Sequence, residues 1–196
     1  AGSHLAITHG NGPQVGAILI KEELAKASVP PMPLDVAGAE SQGMIGYMLQ
    51  LSLEGELAAA GLKTQVATVL TQVLVDSKDP AFKDLTKPVD PYYKREEALA
   101  LARERHWDVS PQGKNGFRRV VPSPTPLHIL EAPTIASLYK SGVVVIAGGG
   151  GGVPVVRGAK GRLQGVEAVL DKDRTAALLA LALESEVLLM LTDVDG

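Results

Sequence analysis

Five consecutive glycines, Gly148–Gly152, stand directly after the apolar run Val143-Val144-Val145-Ile146-Ala147. An unbroken aliphatic run of this kind, introduced by Gly142, is the pattern of a strand buried on both faces of a parallel sheet. Parallel strands require crossover connections, usually helical, so this one feature points to an α/β chain. Five flexible residues in a row are costly to order. A ligand wrapped by their backbone N–H groups would offset that cost, and a floppy surface linker is the plain alternative. The strand signal feeding straight into the glycines favours the ligand.

A second glycine-bearing turn lies near the start. Leu5-Ala6-Ile7 leads into Thr8-His9-Gly10-Asn11-Gly12-Pro13-Gln14-Val15-Gly16. Val15, Ile18 and Leu19 then recur at helical spacing, predicting a helix over Pro13–Ala27 with proline at its start. The glycines fall one residue too far apart for the dinucleotide fingerprint G-x-G-x-x-G, and the sequence holds no P-loop. By itself the stretch fits either an anion at a helix N-terminus or a tight turn with no ligand. Further along, the pattern predicts a helix over Glu40–Ala60, with Gly43 and Gly46 marking close packing, which is the favoured reading, or a face near a ligand. It then predicts a strand over Gln65–Val75, a helix over Pro133–Ser141 and a hairpin-like stretch over Val153–Gly165. A strand over Val166–Leu170, a helix over Asp173–Leu183 and a strand over Val187–Leu191 complete it. Prolines and charges cluster between Asp76 and Pro126, around a helix over Lys94–Arg105, a turn at Gly113–Gly116 and a strand over Phe117–Val121. A loop of that length is uncommon. Residues 76–126 are therefore expected to form a small protruding subdomain placed as a lid, with 1–75 and 127–196 forming the main domain.

Four strand ends run into loops rich in Gly, Asp or Asn: Gly10–Gly12, Gly148–Gly152, Asp171–Asp173 and Thr192–Gly196. Ligands of open α/β sheets bind beyond the carboxyl ends of the strands, so the four loops suit a large, phosphate-bearing ligand. Lys172 sharpens this. A cation in the first turn of a helix is unfavourable unless an anion sits in front of it. Lys172 is the candidate for binding a transferring phosphoryl group, and Asp173 for orienting it. Such transfer needs positioning and charge neutralisation rather than a covalent nucleophile. Lys87 lies in the basic excursion; for Lys83, Arg118 and Arg119 a solvated face is the reading. The histidines lack metal-ligand spacing, so no protein-held metal is expected. A net charge of −3 argues against a nucleic-acid or anionic-membrane surface. The absence of cysteine fits a reducing cytoplasm. No apolar run reaches the ~20 residues of a membrane span.

Taken together, these motifs resemble the carbamate kinases of the amino acid kinase superfamily. They are His9 to Gly16, Ser41-Gln42-Gly43-Met44-Ile45-Gly46-Tyr47, Thr71 to Asp76, Asp79 to Phe82, Thr86-Lys87-Pro88, Arg118 to Pro124, the glycine run, Gly165 to Ala168, Asp171-Lys172-Asp173 and Thr192 to Asp195. The resemblance implies an open αβα sandwich with a mainly parallel sheet, a protruding subdomain, a homodimer and Mg2+-ATP chemistry. The implied reaction is ATP plus carbamate giving ADP plus carbamoyl phosphate, run backwards in fermenting organisms to make ATP at the end of arginine breakdown. Gly10, Asn11 and Gly12 resemble the loop holding the phosphoryl group and substrate. Lys172 with Asp173, and the subdomain's Lys87, resemble the catalytic charges. Gly149, Gly150, Asp171, Thr192, Asp193 and Val194 resemble nucleotide-side loops, and Ser123 lies where the small carbamate pocket is expected. The family also has an upstream strand ending in Gly-Gly-Asn-Ala and a downstream region with a second catalytic lysine. This chain is accordingly expected to be a piece of a longer enzyme, with little activity alone. The competing readings are another phosphotransferase of the superfamily and a non-catalytic nucleotide-binding or dimerisation module.

Overall fold

The computed structural model describes residues 4–191. Strand β1 (Ala6–Ile7) opens the chain, followed by α1 (Gly12–Ala25) and α2 (Leu34–Ala59). Two short strands, β2 (Val66–Thr68) and β3 (Gln72–Leu74), come next. The excursion then supplies β4 (Lys87–Tyr93), α3 (Arg95–Arg105), β5 (Asp108–Pro111) and β6 (Phe117–Val121). The chain returns through β7 (His128–Ile129), α4 (Ala132–Lys140), β8 (Val144–Ile146), β9 (Val153–Arg157), β10 (Leu163–Gly165) and α5 (Lys172–Ala182).

The strands form three sheets, ordered β1-β8-β2, β10-β9-β3-β7 and β4-β6-β5. Sheet β1-β8-β2 is parallel throughout. In the second, β3 and β9 run parallel, with antiparallel neighbours at both sides. The third is antiparallel and belongs wholly to the excursion. Helix α2 packs against β2, β8 and β9, while α4 and α5 pack against β8 and β7. The result is an αβα arrangement on a mainly parallel sheet, as expected. The main core is aliphatic and joins the first two sheets to α4 and α5 through Val73, Ile129, Ile135, Val145, Leu170 and Leu179. A smaller cluster of Val15, Leu34, Val89 and Val121 seats the third sheet on α1 and the start of α2.

Several elements differ from the sequence expectation. The strand over Gln65–Val75 is two strands in two sheets, with Thr71 at the change of direction. Thr71 is fully buried. Its hydroxyl donates to the Val69 carbonyl at 2.8 Å and accepts the Gly148 N–H at 2.8 Å. Buried Gln42 completes the joint, accepting the Thr71 N–H at 2.8 Å and donating to the Thr71 carbonyl at 3.2 Å. Helix α2 begins at Leu34, six residues before the predicted Glu40, because the Pro33 carbonyl already accepts the N–H groups of Val36 and Ala37. Within it, a Cβ at Gly46 would strike Thr68, which is the close packing expected, whereas a Cβ at Gly43 would meet open space. Val166–Leu170 is not a strand. Only Val166 still reaches β9, its N–H on the Pro154 carbonyl at 3.2 Å; beyond it the N–H groups leave the ladder, Ala168 to the Val166 carbonyl and Val169 to the Pro122 carbonyl. Val187–Leu191 is also not a strand among the described residues, and its side chains are exposed. β-prone sequence becomes strand only where a neighbour takes its hydrogen bonds.

Replacing Thr71 with Val should orphan the buried Gly148 N–H and cost about 1–3 kcal/mol. Thr71→Ser, which keeps the hydroxyl, should lose markedly less. Urea unfolding midpoints at constant slope measure both, and a loss in Thr71→Val no larger than in Thr71→Ser would show that the hydroxyl does not hold the joint.

Candidate active site

The floor of the site is backbone. The ends of β1 and β8 lie side by side, with the Ala147 N–H on the Ile7 carbonyl at 2.9 Å and the Gly150 N–H on the His9 carbonyl at 2.7 Å. The Thr8 hydroxyl donates to the Gly148 carbonyl at 3.1 Å, and the Thr175 hydroxyl to the Gly151 carbonyl at 2.9 Å. Gly148 to Gly151 are buried in a tight turn, so the run is a packed element and not a linker. Glycine is required here twice over. Gly150 has φ +65°, and a Cβ there would fall on the Asn11 amide; a Cβ at Gly149 would fall on the His9 ring.

Two helix N-termini face this floor. Asn11 occupies the N-cap position of α1, but its side chain does not cap the helix. Its Nδ2 instead donates to the Ser41 hydroxyl of α2 at 2.8 Å. The first turn of α1 holds no acidic residue, leaving its N–H groups for an anion. At α5 the cap is the Asp171 carboxylate, which accepts the N–H groups of Asp173 at 3.0 Å and Arg174 at 3.2 Å. Lys172 leaves the first turn of α5 and runs past Gly10, where a Cβ would lie 3.7 Å from its Cδ. Its ammonium meets Asp173 Oδ1 at 3.3 Å. From the third sheet, the Lys87 ammonium comes within 3.8 Å of Asp171 Oδ2.

A cleft of about 440 Å³ opens between these parts, with Gly10, Asn11, Gly12, Lys87, Gly150 and Lys172 on its wall. Thus the structure brings together the residues read from three separate motifs. Asp171 and Asp173, paired with Lys87 and Lys172, are not on the cleft wall, and Gly149 is buried against the His9 ring. Ser123 is half-buried and also off the wall; its neighbour Pro122 accepts the N–H of Val169, which does line the cleft. Thr192, Asp193 and Val194 lie outside the described residues. The solvated-face reading fails for two arginines. Arg118 lies on the cleft, stacked over Tyr92 at 5.0 Å and donating to the Pro88 carbonyl at 3.3 Å. Arg119 pairs with Glu167 and stacks on Trp107 at 4.7 Å. Asp35 and Gly38 of α2 also line the cleft. Sequence reasoning missed them by starting α2 too late; Pro33 just before Leu34-Asp35 was the available signal.

Residues 1–196 match the amino acid kinase family. The curated carbamate kinase of Pyrococcus horikoshii is 50% identical over 197 residues, covering 100% of this chain and 62% of the relative. That of Trichomonas vaginalis is 45% identical, covering 98% and 62%. Among solved structures, the Giardia lamblia carbamate kinase bound to AMP-PNP superposes with a TM-score of 0.90 at 43% identity, covering 98% of this chain and 61% of that one. A crystal structure from Aeropyrum pernix K1 gives a TM-score of 0.93 at 46% identity, with 100% and 62% covered. The chain therefore spans a little over three-fifths of the length of the relatives it matches.

Asp171 ties cap and charge together. The Arg174 N–H foremost holds its carboxyl below the usual carboxylate range; partial burial, next in size, opposes it, and the Asp173 N–H and the Lys87 ammonium add to the lowering. A depressed folded-state value stabilises the fold above the unfolded carboxylate's own titration, and that stability is lost as pH falls through the folded value. Asp171→Ala should cost about 1 kcal/mol near neutral pH. Its deficit against the parent should narrow as pH falls below about 4. Denaturant midpoints at both pH values measure this, and a deficit unchanged in acid would mean the carboxylate's charge is not its source.

Proposed function

The chain belongs to the amino acid kinase family, and we propose that the full-length protein carrying it is a carbamate kinase. It would move a phosphoryl group reversibly between ATP and carbamate. The carrying observation is the convergence of Lys172, Lys87 and the Gly10–Gly12 loop on one cleft, in a chain 45–50% identical to curated carbamate kinases. The bound AMP-PNP of the Giardia lamblia relative supports ATP or ADP as the nucleotide.

In the ATP-forming direction, a terminal oxygen of the ADP β-phosphate attacks the phosphorus of carbamoyl phosphate. The bond from phosphorus to the carbamoyl oxygen breaks, and carbamate leaves with the electron pair. No proton moves and no enzyme-bound covalent intermediate forms. The protein's part is positioning and charge. Gly10, Asn11 and Gly12, at the start of α1, hold the phosphoryl oxygens. Lys172 neutralises their charge from one side, oriented by Asp173, and Lys87 from the other, braced on Asp171. The backbone of Gly149 and Gly150, with Thr192, Asp193 and Val194, serves the nucleotide. Mg2+ enters bound to the nucleotide's phosphates, and Ser123 borders the carbamate end. Residues 76–126 form a subdomain that closes over the cleft, carrying Lys87 with it; the small cluster of Val15, Leu34, Val89 and Val121 is its seat. The protein would work as a homodimer in the cytoplasm, making ATP at the end of arginine breakdown.

A coupled assay of ATP made from ADP and carbamoyl phosphate tests the assignment on the full-length protein. Activity on acetylglutamate but not carbamate would overturn it. Lys172→Ala should lower kcat by roughly a hundredfold or more. A loss under tenfold, ~1.4 kcal/mol of barrier, would reduce Lys172 to a surface residue.

A further inference from the structure

Asp35 brings a carboxylate to the cleft wall, the one acidic residue among those lining it. It sits in the first turn of α2 and is half-buried. Gly38, one turn further along the same helix face, also lines the cleft. Ser41, at the next position on that face, accepts the Asn11 amide. Asp35 is thus the outer end of a stripe whose inner end fastens the Gly10–Gly12 loop. Its Oδ2 is lodged where a Cβ on Gly165 would lie, so the absence of a side chain at Gly165 makes room for it. Among the described residues the Asp35 carboxylate takes part in no ion pair and accepts no hydrogen bond. The other charged groups on the wall are Lys87, Arg118 and Lys172, all of them donors.

The chemistry of the substrate pair gives this acceptor a use. Carbamate and carbamoyl phosphate carry oxygens, which cations and backbone N–H groups satisfy. They also carry an NH2 group, whose hydrogens need an acceptor once water is excluded. We propose that Asp35 is a specificity-determining residue that accepts a hydrogen bond from the NH2 group of carbamate and of carbamoyl phosphate. This rests on the carbamate kinase reading and deepens it. An acyl phosphate with a methyl group in place of NH2 would desolvate the carboxylate without giving it a partner, the situation in which hydrogen-bonding sites discriminate most strongly. A carboxylate suits an N–H donor better than a neutral acceptor would, because charge-assisted bonds are the stronger ones.

The test compares carbamoyl phosphate with acetyl phosphate as phosphoryl donors to ADP, using the full-length protein and its Asp35→Ala and Asp35→Asn variants. The readout is the ratio of the two kcat/KM values within one preparation, in which the fraction of folded enzyme cancels. The ratio should fall by about tenfold or more in Asp35→Ala. Asp35→Asn, which keeps an oxygen acceptor, should retain the larger part of it. An unchanged ratio in Asp35→Ala, with both donors weakened alike, would overturn the proposal and leave Asp35 as a general charge or a support for the helix. So would an Asp35→Asn ratio as low as that of alanine. A parent enzyme that makes no ATP from carbamoyl phosphate would instead sink the carbamate kinase reading itself.

Discussion

Gly150 donates its N–H to the His9 carbonyl at 2.7 Å, and that contact holds the ends of β1 and β8 together. It exists only because neither Gly149 nor Gly150 has a side chain to push His9 and Asn11 away. The joint at Thr71 anchors the glycine turn from below through the Gly148 N–H, and Thr175 of α5 anchors it through the Gly151 carbonyl. The same turn therefore locates the start of α5, and with it Lys172, opposite the loop that starts α1. A backbone floor bounded by two helix N-termini suits an anion without spending side chains on it.

The charges stand above this floor in a deliberately loose arrangement. Lys172 and Asp173 are both more than half exposed, and their ion pair spans 3.3 Å. Lys87 and Asp171 are about two-fifths exposed at 3.8 Å. Pairs of this kind contribute little to stability, typically under about 1 kcal/mol. Each lysine is thus held near the cleft by a carboxylate that, in the proposed role, it would exchange for a phosphoryl oxygen at small cost. Asp171 does two jobs at once, since the oxygen not facing Lys87 caps α5. The contacts that bring the third sheet to the main body lie elsewhere, in the buried cluster around Leu34 and Val89 and in the partly exposed Arg119–Glu167 pair. Stability and chemistry are in this way carried by different residues.

The parts legible in the sequence were those with a strong local signature. Val143–Ala147 followed by five glycines favoured a buried strand running into a backbone-lined turn over a surface linker. Lys172 stood out because a cation in a first helical turn needs an explanation. Tertiary context hid the rest. Nothing local in Gln65–Val75 says that one β-prone run will bend at Thr71 and serve two sheets. Val166–Leu170 has strand composition, yet after Val166 its hydrogen bonds go to a turn and to Pro122. Arg118 looks like any surface arginine until β6 is paired with β4 and turned toward the cleft. Asp35 was lost through a misjudged helix start, the least certain feature of any periodic pattern.

The central claim is that the Gly10–Gly12 loop and Lys172 form one phosphoryl site. A crystal structure of the full-length protein with ADP and aluminium fluoride, a mimic of the transferring group, tests this most directly. The fluoride group is expected on the N–H groups at the start of α1, with the Lys172 ammonium on its fluorines. A fluoride group bound away from Gly10–Gly12, with Lys172 still paired to Asp173 in solvent, would contradict it.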